Sequence, residues 1–380
     1  MEVATGKTAK TFHESGSKVR VDGVKSVTKM KCHVKTLLMA LLAALLLLSA
    51  IRESPAQTAA PAEVTGLIGY MVVPDALEKS VEFYHNLLGL QQPGGDPRAK
   101  LKWYGVVPFL TDMYGVHGNA RNFTLQVPGA EFGVEPMQWS ESRGKPLQPR
   151  LQDPGASQLM LTVHDIDELL GFLTKGGVRV LTTGGKPLQL NNSQGKARVV
   201  VVQDFHGYYV RLIQPDVLPP LAGANGAGPP GYIIGGNVAI TVEDTEKAAQ
   251  FYRDVLGLKV VLGDGFSGDP NELAALGMKG NVQYRDSIVM FPGKSQLHLV
   301  EFKGIERKPI HPGIVDQNAV VLRISVRGID ALYNRMKAAQ VPIVSVSGAP
   351  YQNGQTRWLM VRDPDNIYVQ PVERPPAPRP

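Results

Sequence analysis

The chain has 380 residues, enough for two folded cores, and with 43% hydrophobic and 19% charged residues it is not disordered in the main. Its net charge of +6 would suggest a nucleic-acid or membrane-surface partner, but residues 1–56 hold nine Lys/Arg against four Asp/Glu, so nearly all of the excess lies there. The footprint of a nucleic-acid binder is therefore missing from the rest.

Residues 1–29 are polar and aperiodic, and are expected to be an extension upstream of the true start, Met30. Lys31 and Lys35 then precede an apolar run, Thr36–Ala50, and Ser54-Pro55-Ala56 offers a small-x-small cleavage site before Gln57. This is the pattern of a signal peptide over 30–56. Arg52 and Glu53 end the run short of the roughly 20 residues a spanning helix needs. Export with cleavage is expected, to the periplasm or outside the cell, the alternative being an uncleaved N-terminal anchor. The single cysteine, Cys32, lies in the leader, so the mature chain is expected to lack disulfides, thiolate metal sites and cysteine nucleophiles. Residues 57–63 carry no structural signal.

A repeat follows. Val73-Pro-Asp-Ala-Leu-Glu-Lys-Ser-Val-Glu-Phe-Tyr-His-Asn-Leu-Leu-Gly-Leu90 matches Val242-Glu-Asp-Thr-Glu-Lys-Ala-Ala-Gln-Phe-Tyr-Arg-Asp-Val-Leu-Gly-Leu258 with one deletion. Alternation before each copy, as in Val238, Ile240 and Val242, predicts a half-buried strand; Leu77, Val81, Tyr84 and Leu88 are spaced for a helix face. Gly89 and Gly257 suit a helix C-cap. Shorter echoes begin at Gln158 and Val321, and close through Gln203-Asp-Phe-His-Gly207 and Arg362-Asp-Pro-Asp-Asn366. The chain thus reads as four units in two domains, 64–215 (modules about 64–132 and 156–215) and 232–373 (modules about 232–303 and 317–373). A Pro/Gly linker, 216–231, separates them, and a Pro-rich tail, 374–380, follows. Glu131–Ala156, with four prolines, reads as a long connection or lid, and Gly263–Gly268 as a loop.

Glu-Lys-x-x-x-Phe-Tyr-x-x-x-Leu-Gly-Leu after a strand, with Arg-Asp-Pro-Asp-Asn far downstream, resembles the vicinal oxygen chelate superfamily of glyoxalases, bleomycin-resistance proteins and extradiol dioxygenases. The resemblance implies an α+β fold, in which four βαβββ modules pair into two cupped half-barrel domains packed as a pseudo-dimer. It also implies four inward positions per domain for holding a divalent metal. In this sequence those positions are read as Ile68, Thr124, Gln158 and Arg211 in the first domain, and Asn237, His298, Val321 and Gln370 in the second. Isoleucine cannot ligate and a guanidinium repels a cation. Asn237, His298 and Gln370 make at best a weak site without a carboxylate.

No metal cofactor is expected, with iron, manganese or zinc as the alternative. Thr124, Gln158, Arg211, Asn237, His298 and Gln370 are the candidate ligand-binding residues. His298 is the candidate base, and Arg211 the anchor for a small anionic or aromatic molecule. Trp103, Tyr104, Tyr284 and Trp358 could wall a pocket. The expected function is small-molecule binding by an exported protein. Two alternatives stand beside it: a metal-dependent ring-cleaving dioxygenase or glyoxalase-like lyase anchored on His298, and a structural or interaction module.

Overall fold

The computed structural model describes residues 61–105, 107–141, 148–192, 195–218 and 232–375. The expected leader, nearly all of the linker and most of the tail lie outside these. No helix among the described residues is long and apolar enough to cross a membrane.

The first module comprises β1 (Glu63–Val72), helix α1 (Leu77–Ser80, continued by a π-helical stretch Val81–Leu87), α2 (Pro108–Tyr114), β2 (Ala120–Asn122), β3 (Leu125–Gln126) and β4 (Gly133–Trp139). The second holds β5 (Ser157–Val163), α3 (Ile166–Lys175), β6 (Arg179–Val180), β7 (Leu188–Asn192), β8 (Gly195–Gln203) and β9 (Tyr209–Pro215). The third holds β10 (Ile233–Thr241), α4 (Thr245–Gln250, continued by Phe251–Val255), β11 (Lys259–Val261), α5 (Pro270–Ala275), β12 (Gln283–Met290) and β13 (Gln296–Lys303). The fourth holds β14 (Val320–Arg327), α6 (Ile329–Ala338), β15 (Tyr351–Asn353), β16 (Thr356–Trp358), β17 (Val361–Arg362) and β18 (Tyr368–Glu373).

These strands form two curled sheets, and each sheet takes one module from either half of the chain. One runs β15-β16-β18-β14-β1-β4-β2, joining modules four and one; the other runs β11-β12-β13-β10-β5-β9-β8-β6, joining modules three and two. Antiparallel seams close each pair: β1 with β14, where Gly69 faces Arg323, and β10 with β5, where Ala239 faces Gln158. The expectation that the modules of one half share a cup is thereby corrected.

The halves are instead held together through their helices. The Tyr84 hydroxyl of α1 donates to Asp204 in the closing turn of module two at 2.9 Å, and Tyr252 repeats this with Asp363 in module four at 2.9 Å. One apolar core joins the helix faces to the outer faces of both sheets, including Leu77, Tyr84, Leu169, Leu322 and Ile240. Period-two alternation then turns the intervening residues toward the concave side of each sheet.

The Asp-Pro-Asp turn of module four carries a pH dependence. Burial pushes the carboxyls of Asp363 and Asp365 upward, and the charge of Asp363 adds to this at Asp365. Asp365 Oδ1 accepts from the Glu243 N–H at 2.6 Å, whereas its Oδ2 is buried without a partner. A carboxyl whose folded pKa lies above its unfolded value binds more protons when folded. Stability from this pair is therefore present at low pH and lost as pH rises from the ordinary carboxylate range through the raised folded values. Asp365→Asn keeps the acceptor and removes the charge. It should stabilise the protein by about 1–3 kcal/mol at pH 8, with the gain shrinking toward pH 5 in urea denaturation. An equal gain at both pH values would contradict the assignment.

Candidate ligand-binding cups

The repeat fixes which residues are equivalent. Helix α4 is capped by Asp244, whose side chain accepts from Glu246 and Lys247 N–H, but the residue at the N-cap of α1 is Ala76, not Asp75. Counting back from the cap gives Gly69 as the partner of Asn237, in place of Ile68. The sheets agree: Met71 faces Glu135 across β1 and β4, as Ala239 faces His298 across β10 and β13. A one-residue slip in a strand turns every side chain to the other face. Ile68 is half-buried beside a register irregularity. Thr124 is exposed, ahead of β3 in the first cup, away from Gln158 and Arg211. The closing-strand position it was assigned belongs to Glu135 on β4, inside the stretch expected to be a connection.

The first cup is thus built on Gly69, Glu135, Val321 and Gln370, and it is filled from within. Arg323, one pair along from Val321, has room because its neighbour is glycine: a Cβ at Gly69 would stand 3.2 Å from Arg323 Cβ. Its guanidinium forms an ion pair with Glu135 and donates from Nε to Gln370 Oε1 at 2.7 Å. Gln370 donates to the Tyr114 hydroxyl of α2 at 2.7 Å, and Asn122 donates to Glu135 at 2.8 Å. Trp358 stacks under Arg323, 5.5 Å from the ring centroid, and packs against Phe109 at 5.0 Å. Glu135 and Gln370, buried at 5% and 0% exposure, each commit an oxygen to a cation of the chain itself.

The second cup gathers Gln158 and Arg211, expected in the first domain, with Asn237 and His298, expected in the second. Val210 and Leu212 pack in the core, as do Leu297 and Leu299. Alternation therefore puts Arg211 and His298 on the concave face. Arg211 Nη2 donates to Glu272 Oε1 at 2.6 Å, so its charge is met by an acid from α5. That helix was not foreseen, although Asp269 as cap and Pro270 at the first position are its usual start signals. His298, 1% exposed, bonds through Nδ1 to Asp286 at 2.9 Å. Asn237 Oδ1 accepts from the Gln296 N–H at 3.0 Å, at the strand edge.

Unlike the first cup, this one is open. A cavity of about 390 Å³ is lined by Met160, Ala197, Arg211, Glu272, Tyr284 and Asp286 among others. A second, smaller space of about 20 Å³ lies beside it, touching Gln158, Arg211, Ala239, Tyr284 and Asp286. Tyr284 thus walls a pocket; burial and the charge of Glu272 push its phenol upward. Trp358 fills the first cup, and Trp103 and Tyr104 are exposed, Trp103 lying under Arg121. Among the described residues, no three His, Cys, Asp or Glu side chains gather where they could hold a metal ion.

Residues 236–370 match the Glyoxalase/Bleomycin resistance protein/Dioxygenase superfamily model. Among solved structures, glyoxalase I from Zea mays is 16% identical, covering 81% of this chain and 92% of its own, with a TM-score of 0.52. A putative dioxygenase from Bacillus subtilis is 13% identical, covering 83% and 86%, with a TM-score of 0.50. These likenesses show the fold. No curated protein matches the sequence.

Proposed function

We propose that this glyoxalase/bleomycin-resistance/dioxygenase-type protein is an exported binder of a small organic molecule, held in the second cup without a metal ion. The observation that carries this is the contrast between the cups. The first is closed by Arg323 on Glu135 and Gln370, whereas the second keeps a cavity of about 390 Å³, within the range of small-molecule sites. A divalent ion does not suit the second cup, because its four positions hold a guanidinium, two amides and one imidazole. Export rests on the leader pattern of residues 30–56. The exported protein should begin at Gln57 by intact-mass measurement; retention of the leader's mass would support an anchor instead.

The rival reading, a metal-dependent dioxygenase or glyoxalase-like lyase anchored on His298, draws on the Asp286–His298 bond, since metal-bound imidazoles are commonly held by a carboxylate. Against it, no three His, Cys, Asp or Glu side chains among the described residues gather around His298 to hold an ion. The test is a fragment screen followed by backbone chemical-shift mapping. Small aromatic fragments are expected to shift the amides of Gln158, Arg211 and Tyr284. Shifts confined to the surroundings of Arg323 and Glu135, or none anywhere, would contradict the proposal.

A further inference from the structure

We infer that the floor of the second cup is a subsite for one neutral oxygen of the ligand, a ketone, aldehyde or amide carbonyl rather than a carboxylate. This rests on the reading of that cup as a binding site. Gln158 is 4% exposed and its Nε2 is buried with no hydrogen-bond partner. Arg211 Nε, on the adjacent strand β9, is buried and unpartnered as well. Both residues line the same small space of about 20 Å³, which shares Arg211, Tyr284 and Asp286 with the larger cavity.

Buried donors are nearly always paired, because leaving one unmade costs its full desolvation. Two such donors, on residues that line one small space, mark it as the place of an acceptor. The space suits a single oxygen: about one water's worth of volume. Gln158 and Arg211 stand at two of the positions from which relatives of this fold would hold a metal. Here they present N–H groups instead, so the ligand oxygen meets donors directly.

The charge of the surroundings selects the kind of oxygen. The Arg211 guanidinium is already neutralised by Glu272 at 2.6 Å, and Asp286 lines the same space. A carboxylate would bring a further negative charge beside Asp286 and an arginine already neutralised, in a site of low dielectric. A neutral carbonyl accepts both hydrogen bonds without that repulsion. The proposed neutral oxygen departs from the expectation of an anionic ligand anchored by Arg211.

Three matched probes test this: acetophenone, benzoate and α-methylstyrene, titrated by chemical-shift perturbation against the mature protein. Acetophenone is expected to bind about tenfold more tightly than either of the others. Gln158→Leu and Arg211→Lys should each bring the affinity for acetophenone down to that for α-methylstyrene, and the dispersed amide spectrum of each variant reports that it is folded. The lysine retains a positive charge beside Glu272 but lacks the Nε donor. Equal binding of acetophenone and α-methylstyrene, or a preference that survives both variants, would overturn the subsite while the cup remained a binding site. Tighter binding of benzoate would overturn the neutral-oxygen assignment. Binding of none of the three would overturn the subsite and the cup together.

Discussion

Glu135→Ala should destabilise the protein by about 3–5 kcal/mol, the cost of stranding a buried charge. Arg323 is held in the first cup by Glu135 and Gln370, with side-chain exposures of 14% and 6% for the ion pair. Burial works against its charge, and the nearby Glu135 carboxylate and Tyr114 offset this, holding the guanidinium firmly protonated. Without Glu135 the guanidinium keeps its desolvation cost and loses its counter-charge, and Asn122 Nδ2 loses an acceptor. The double variant Glu135→Leu/Arg323→Met removes both charges at once. It should recover most of the loss, since apolar replacement of a whole buried pair is often neutral or stabilising. Urea denaturation of the two variants provides the comparison. A single-variant loss below about 1 kcal/mol would mean that the pair behaves like an exposed surface bridge.

The modules themselves were legible in the sequence, because the repeated strand–helix pattern depends on local periodicity. Which modules share a sheet was not legible. The seams β1–β14 and β10–β5 are long-range pairings, and no local pattern distinguishes a cup within one half from a cup across both. Two further misreadings have local causes. Asp75 resembles the helix cap Asp244, but its side chain is engaged elsewhere: it bonds to His206 Nδ1 at 2.6 Å and to Lys79, one residue ahead of the true cap position. Counting from it shifted the first strand by one residue. Pro136 lies inside the stretch expected to be a connection, and proline cannot donate to a ladder. It is tolerated because β4 changes antiparallel partner around it, pairing with β3 up to Val134 and with β2 from Met137.

In the second cup the faces of Arg211 and His298 followed from alternation alone. Their partners did not. Glu272 sits 61 residues beyond Arg211, and Asp286 reaches His298 from the neighbouring strand, so neither contact has a sequence signature. Both acids change the chemistry. An arginine read alone suggests an anion anchor, whereas an arginine neutralised at 2.6 Å leaves hydrogen bonding as its main offer.

Ala197→Trp should weaken binding of small aromatic fragments by about thirtyfold or more, equivalent to about 2 kcal/mol. Ala197 lies on β8, half-buried, with its side chain on the wall of the large cavity. An indole there would take up space that the ligand needs. Because the residue is not in the closed core, stability should change by less than about 1 kcal/mol. Loss of binding without loss of stability would place the ligand in this cavity. Undiminished affinity would place it elsewhere.

The claim that joins these points is that side-chain donors, rather than a divalent ion, organise the second cup. Elemental analysis of the purified mature protein after mild dialysis tests it most directly, with His298→Ala measured alongside. Iron, manganese and zinc are expected well below one equivalent and indifferent to the substitution. One equivalent of any of them, abolished in His298→Ala, would contradict the claim and return the protein to metal-dependent chemistry anchored on His298.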